Sequence, residues 1–317
     1  MKAYWLVALV PLFGGACQTA TPGAFPAGRA IDLTHDFDER TLYWPTEEGF
    51  VLERGFEGET DKGYFYSAHR FRGAEHGGTH IDAPIHFHAE RHHVNEIPLE
   101  QLMGQGVVVD VSSVCTADRD HRVNVEDLRR WEAQNGEIPK ESIVLLRTGF
   151  GRYWPEPEAY LGTAERGSEA VAKLHFPGLD VQAASWLVRE RRIKAVGIDT
   201  ASIDAGQSRY FRAHQILAAH GVPIFENVAN LDLLPGRGLQ VIALPMKIRG
   251  GSGAPLRIVA IVPGESARVR REAPYFMALP RWPSRVLARR APVEEKMGSL
   301  PAPAHPPTRR SRASVEE

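Results

Sequence analysis

The densest chemistry in the chain sits in eleven residues, His76-Gly77-Gly78-Thr79-His80-Ile81-Asp82-Ala83-Pro84-Ile85-His86. Three imidazoles and one carboxylate, those of His76, His80, Asp82 and His86, are separated only by small or apolar residues. Imidazole and carboxylate together suit a borderline divalent metal such as zinc or manganese. Six of the 13 histidines lie between residues 76 and 93, where an even spread would put fewer than one. His88, His92 and His93 read as a solvated loop. The ordered spacing from 76 to 86 needs another reason.

The glycine pair supplies it. Each glycine would cost a helix interior roughly 1 kcal/mol, so His76 and His80 are not one turn apart on a helix. No His-Glu-x-x-His occurs anywhere. Gly77 and Gly78 instead let the backbone turn at φ values other residues avoid, which brings His76 beside His80. From His80 onward an extended segment puts His80 and Asp82 on one face and Ile81 and Ala83 on the other. Pro84 ends any helix and stiffens the exit towards His86. One turn and one short strand thus aim three ligands at a point, with His86 nearby.

The elements that must hold this segment can be read along the chain. Val107–Val111, Ile143–Arg147, Ala195–Asp199, Leu239–Leu244 and Leu256–Val262 are short and rich in β-branched residues, as buried strands are. Asn124 with Asp127 three residues on predicts a capped helix through Gln134, stopped at Asn135-Gly136. Asp180 predicts another through Arg192, with Val181, Ala184, Ser185 and Val188 as a small-residue face. Strand–helix alternation gives an α/β domain with a mixed sheet. Asp199 and Asp204 follow a strand, and serve either to orient ligand histidines or to cap a turn. Trp44, before Pro45, is either a pocket wall or a core aromatic. Cys115, after the Val107–Ser113 strand, reads as a small buried hydrophobe.

At 317 residues, 43 % apolar, 24 % charged and net charge −1, the chain is an ordinary globular protein. Nothing in its charge calls for nucleic acid as a partner. It contains no Gly-x-Ser-x-Gly elbow, Walker loop or dinucleotide glycine fingerprint, so serine-hydrolase, nucleotide-binding and Rossmann readings drop out.

His76 to Phe87 fits His-x-Gly-Thr-His-x-Asp-x-Pro-x-His-Phe, and so resembles the cyclase family of metal-dependent hydrolases, which includes bacterial kynurenine formamidase and isatin hydrolase. The resemblance continues in Ile97-Pro98-Leu99-Glu100, in Gly197 to Asp204, in His214-Gln215-Ile216-Leu217 and in Gly221 to Leu231. Upstream, Thr41-Leu42-Tyr43-Trp44-Pro45 is similar to an early Trp-Pro segment. It spans about residues 29 to 262. It implies a swivelling β/β/α-type hydrolase fold with a mixed sheet, and two divalent metals per chain, zinc or manganese. His76, His80 and Asp82 would hold one metal. Asp82 would be shared with a second, bound by His214 and Glu226. His86 would be the general acid/base and Trp44 would line the substrate pocket. On sequence alone His214 and Glu226 are better read as a structural histidine and a surface carboxylate; the resemblance reverses that. Some members carry a neutral amide and one metal where this chain has Glu226. Thr46-Glu47 after Trp44-Pro45 departs from the formamidases' Gly-Asp, which counts against formyl-kynurenine as substrate.

The expected activity is metal-dependent hydrolysis of a C–N bond (amide, N-formyl or lactam) in a small aromatic substrate, by a homo-oligomer. The alternatives are a lactone hydrolase or lyase/dehydratase on the same metals, or a non-catalytic envelope lipoprotein that kept the fold.

The ends differ from the middle. After Lys2, residues 3–16 are uncharged and mostly apolar, too short for a span of about 20 residues but suited to a secretory signal. Phe13-Gly14-Gly15-Ala16-Cys17 is similar to a bacterial lipobox. Residues 1–17 are therefore expected to direct export, with Cys17 lipidated as the one membrane contact, or the mature protein free in the periplasm. Residues 18–28 read as a linker and 29–263 as the hydrolase domain. Residues 264–317 hold eight prolines and eleven Lys/Arg against six Glu, the composition of a disordered basic tail.

Overall fold

The computed structural model describes residues 28–263. The signal, lipobox and linker readings up to residue 27 and the tail from 264 lie outside the described residues. Eight strands carry the architecture: β1 (Arg29–Asp32), β2 (His80–Asp82), β3 (Met103–Asp110), β4 (Ile143–Arg147), β5 (Ala195–Ile198), β6 (Ile224–Glu226), β7 (Leu239–Pro245) and β8 (Gly253–Val262). Strands β3, β4, β5 and β6 run parallel in that order. β7 joins β3 and β8 antiparallel, and β2 joins β6 and β8 antiparallel. Because β8 pairs with β7 along one edge and with β2 on the other, seven strands close into a mixed barrel. β1 lies beyond β2 on the same edge of β8. The expected mixed α/β sheet is present; its closure has no local sequence signal. Closure removes the free edges that an open sheet would expose.

Alternate residues along β3, β4, β5 and β6 enter two cores. Val108, Ile143, Leu145, Phe225, Val241 and Ile258 point one way and pack together inside the barrel. Val107, Val109, Val144, Leu146, Val196 and Ile224 point the other way, against helices α1 (Val125–Asn135), α2 (Val181–Trp186) and α3 (Arg212–Ala219). Both faces of these four strands are dry, which is why they read as near-continuous apolar runs, whereas β7 and β8 leave Gln240, Leu244 and Arg257 exposed on their outer face. Three readings shift. The strand before Cys115 ends at Asp110, whose Oδ1 accepts from Ser112 N and Oγ, and Cys115 sits fully buried in the short helix Ser112–Ala117. Pro84 starts a 3-10 turn, Pro84–His86, rather than only ending a helix, because its fixed φ suits the first helical position. The helix capped by Asp180 widens into a π turn at Leu187–Arg191 before Arg192 stops it at φ 47°. Helix α1 begins as expected: Asn124 Oδ1 accepts from Glu126 N and Asp127 N, and Asp127 Oδ2 accepts from Asn124 N. Among the described residues no helix is long and apolar enough to cross a membrane.

Candidate metal centre

The site is built outward from β2. Gly78 turns the chain at φ 57°, and a Cβ there would fall 2.6 Å from the Phe37 ring. Gly77 is needed for space instead, since its Cβ would lie inside the Tyr43 ring. Past this turn, register does the positioning. His80 lies opposite Glu226, and Asp82 opposite Ile224, in the antiparallel β2–β6 pair. Directly opposed residues share a face, so His80, Asp82 and Glu226 all leave the barrel on its helix-covered side, while Ile81 and Phe225 fill the interior. Buffering this junction, Thr79 Oγ1 donates to Asn227 O at 2.7 Å, and Asn227 Nδ2 donates to Gly78 O at 2.7 Å. Asn227 itself takes φ 53°, and its Oδ1 accepts from the buried Tyr160 hydroxyl at 2.8 Å.

Helix α3 delivers His214 from above. Phe211, the residue before its first turn, offers no side-chain cap; Asp204 takes that role, accepting from Ala213 N, His214 N and His214 Nδ1, the last at 2.7 Å. His214 Nε2 is thereby aimed at Asp82 Oδ2 and Glu226 Oε1, each 3.1 Å away. Asp204 therefore orients a histidine, whereas Asp199 does not: it is buried and accepts from Thr148 N, Thr148 Oγ1 and Gly149 N.

Each histidine of the cluster has one nitrogen held from outside and one turned inward. His80 Nδ1 donates to Gly78 O at 3.0 Å, leaving Nε2 3.2 Å from Asp82 Oδ1 and 3.5 Å from Glu226 Oε2. That Nε2 is buried with no hydrogen-bond partner. His76 Nε2 is held by Ser252 Oγ at 2.9 Å, and its Nδ1 faces Asp82 Oδ1 at 2.7 Å. Lone pairs and carboxylate oxygens thus converge on a common space, which asks for a cation. Two triads meet the spacing a metal needs, His76–His80–Asp82 and Asp82–His214–Glu226. The electrostatics agree. Burial opposes charge on His80 and His214, yet the surrounding carboxylates raise both imidazoles above their ordinary range. Burial would likewise push Asp82 up, but His76, His214 and His80 outweigh it and hold the carboxyl well below the usual range.

His86 lies beside this cluster. Its ring stacks on His76 at 3.8 Å and 19°, and its Nε2 is 4.0 Å from Asp82 Oδ2. Burial pushes its imidazole down to about 4, with the other imidazoles adding to the effect against Asp82. The shift favours the neutral imidazole, the form that can accept a proton. Over the cluster opens a cavity of about 470 Å³, within the range of small-molecule sites. Trp44, Leu42, Phe87 and Phe211 form its apolar walls. Trp44 makes edge contacts with Phe176 and Phe211.

All seven residues singled out for the site, Trp44, His76, His80, Asp82, His86, His214 and Glu226, line this one cavity. His88 and His92 are exposed, and His93 caps the short turn Val94–Glu96. Sequence reasoning missed Asn227, Phe211, Glu75 and Ser252. The one available signal for Ser252 was a lone polar residue inside Gly250-Gly251-Ser252-Gly253 at the start of a strand.

A barrel that presents imidazoles and carboxylates beneath an aromatic cavity is the architecture of a metal-dependent enzyme. The Cyclase family model matches residues 31–205. Isatin hydrolase of Roseibium aggregatum is 32 % identical over 197 residues, 60 % of this chain and 72 % of the relative. Kynurenine formamidase of Bacillus cereus is 28 % identical over 229 residues, 72 % of this chain and 95 % of the relative. Isatin hydrolase A from Labrenzia aggregata, solved with benzyl benzoate bound, superposes with a TM-score of 0.67 at 33 % identity, covering 74 % of this chain and 94 % of that one. The chain belongs to the cyclase family of metal-dependent hydrolases.

Proposed function

We propose that this chain hydrolyses a C–N bond, an amide, N-formyl group or lactam, in a small aromatic substrate. Its two metal sites would be formed by His76, His80 and Asp82 and by Asp82, His214 and Glu226. The observation that carries this reading is the convergence of those five side chains on the floor of an aromatic-walled cavity. The names of the relatives, isatin hydrolase and kynurenine formamidase, support the bond type. The nitrogen and oxygen donors suit zinc or manganese. Bound there, a divalent cation supplies Lewis acidity towards a carbonyl and lowers the pKa of water.

The chain's own residues do the rest. Trp44, Phe87 and Phe211 grip an aromatic ring and exclude water around it. Neutral His86 takes a proton from the attacking water at Nε2 and hands it to the departing nitrogen. Its stack on His76 keeps Nε2 directed at the cluster. The test is elemental analysis with turnover on a panel of N-formyl and lactam compounds. Wild-type protein should hold divalent metal and turn over at least one of them, and His80→Ala should lose most of the metal. Equal metal content in His80→Ala would reject the assignment.

A further inference from the structure

The segment Gly250-Gly251-Ser252-Gly253 leads into β8. In the structure it is fitted around His76. Ser252 Oγ lies 2.9 Å from His76 Nε2 and 2.7 Å from Glu75 Oε2. The same Glu75 oxygen accepts from Ser252 N at 2.9 Å and from Gly253 N at 3.3 Å. A carboxylate only accepts, so the Ser252 hydroxyl hydrogen goes to Glu75 and its oxygen is left to accept from His76 Nε2–H. That order places a hydrogen on Nε2, so Nδ1, which meets the Asp82 carboxylate at 2.7 Å, is the nitrogen that can give up its hydrogen and present a lone pair to a cation. The glycines are part of the fit. A Cβ on Gly251 would lie 2.9 Å from Glu75 Oε1, and one on Gly253 would lie 2.5 Å from His76 Cε1 and 2.6 Å from Ile81 O. No side chain fits at Gly253 without moving β2 or the ligand.

We propose that Glu75 and Ser252, seated by Gly251 and Gly253, are positioning residues for His76. They hold its ring in the tautomer and orientation that present Nδ1 to one of the two metal sites. The inference rests on the metal-centre reading above. Outer partners of ligating histidines typically carry 10- to 100-fold in metal affinity. His80 and His214 have their own outer partners, Gly78 O and Asp204. Loss of the Ser252–Glu75 pair therefore acts on the His76 site alone.

The experiment strips the full-length protein of metal and titrates it with Zn²⁺ against a chromophoric chelator, with the Co²⁺ absorption spectrum as a second readout. Ser252→Ala and Glu75→Ala should weaken one equivalent roughly 10- to 100-fold and alter the Co²⁺ spectrum, while the other equivalent stays within about threefold. Glu75→Gln keeps an acceptor oxygen for the Ser252 hydroxyl and should bind like wild type. Thermal melting of each stripped variant checks that it folds. Wild-type affinity and an unchanged spectrum in both alanine variants overturn the proposal. So does loss of both equivalents in an alanine variant that melts like wild type. The His80→Ala protein, run alongside, separates the two levels: if it too binds metal like wild type, the metal-centre reading fails and the proposal falls with it.

Discussion

Glu226→Gln tests the paired-metal arrangement with the smallest change of shape. Glu226 Oε1 accepts from Ile203 N at 2.7 Å and faces His214 Nε2 at 3.1 Å, while Oε2 lies 3.5 Å from His80 Nε2. Glutamine has a single acceptor oxygen. It must stay on the Ile203 N–H, because the opposite orientation sets donor against donor. The amide NH₂ then occupies the place of Oε2 on the His80 side, and the oxygen left beside His214 is a neutral carbonyl without the negative charge that would hold a cation there. Removing one partner from a buried charged pair costs about 3–5 kcal/mol. At about 1.4 kcal/mol per tenfold, that is roughly two to three and a half powers of ten in affinity at the Asp82–His214–Glu226 site. The His76–His80–Asp82 triad keeps all its donors. Elemental analysis after gel filtration should therefore find one metal per chain in Glu226→Gln where wild type holds two. A variant with wild-type metal content refutes the reasoning, as does a wild type that never holds more than one.

Four further outcomes are expected. His86→Ala should keep its metal and lose at least about 100-fold in kcat; an active variant removes His86 from proton transfer. Trp44→Ala should raise KM for an aromatic substrate by up to roughly tenfold with kcat little changed, since aromatic contacts are worth about 0.5–1.5 kcal/mol; an unchanged KM excludes Trp44 from substrate contact. His35, stacked on Trp154 at 4.3 Å, is pushed by burial down to about 4. The unfolded chain takes up that proton first, so stability is lost as pH falls from 6.5 towards about 4, by up to ~1.4 kcal/mol per pH unit; urea melts of His35→Phe should show a flatter slope, and parallel curves contradict the assignment. Mass spectrometry of the mature N-terminus should show cleavage before a lipidated Cys17; an intact Met1 rejects the lipoprotein proposal.

Short-range chemistry was legible in the chain because its cause is short-range. The Gly77-Gly78 turn and the two-residue alternation from His80 to Asp82 bring His76, His80 and Asp82 together within seven residues of backbone, and the structure holds them close to one another. The cap of Asn124 and Asp127 on α1 is equally local. His214 and Glu226 are another matter. By themselves they read as a structural histidine and a surface carboxylate, and only the family resemblance implies that they are ligands. What brings them to Asp82 is the packing of α3 on the sheet and the pairing of β2 with β6, contacts between residues 132 positions apart in the first case and 142 to 146 in the second. The split between Asp204 and Asp199 follows the same rule: their sequence settings match, but one faces α3 and the other the Thr148 loop. Barrel closure and the seat of Ser252 against His76, 176 positions away, depend on where β8 pairs in the sheet. Donor type and local direction belong to the sequence; which donors meet is decided by register, and register is set by keeping the apolar side chains of each strand in the core.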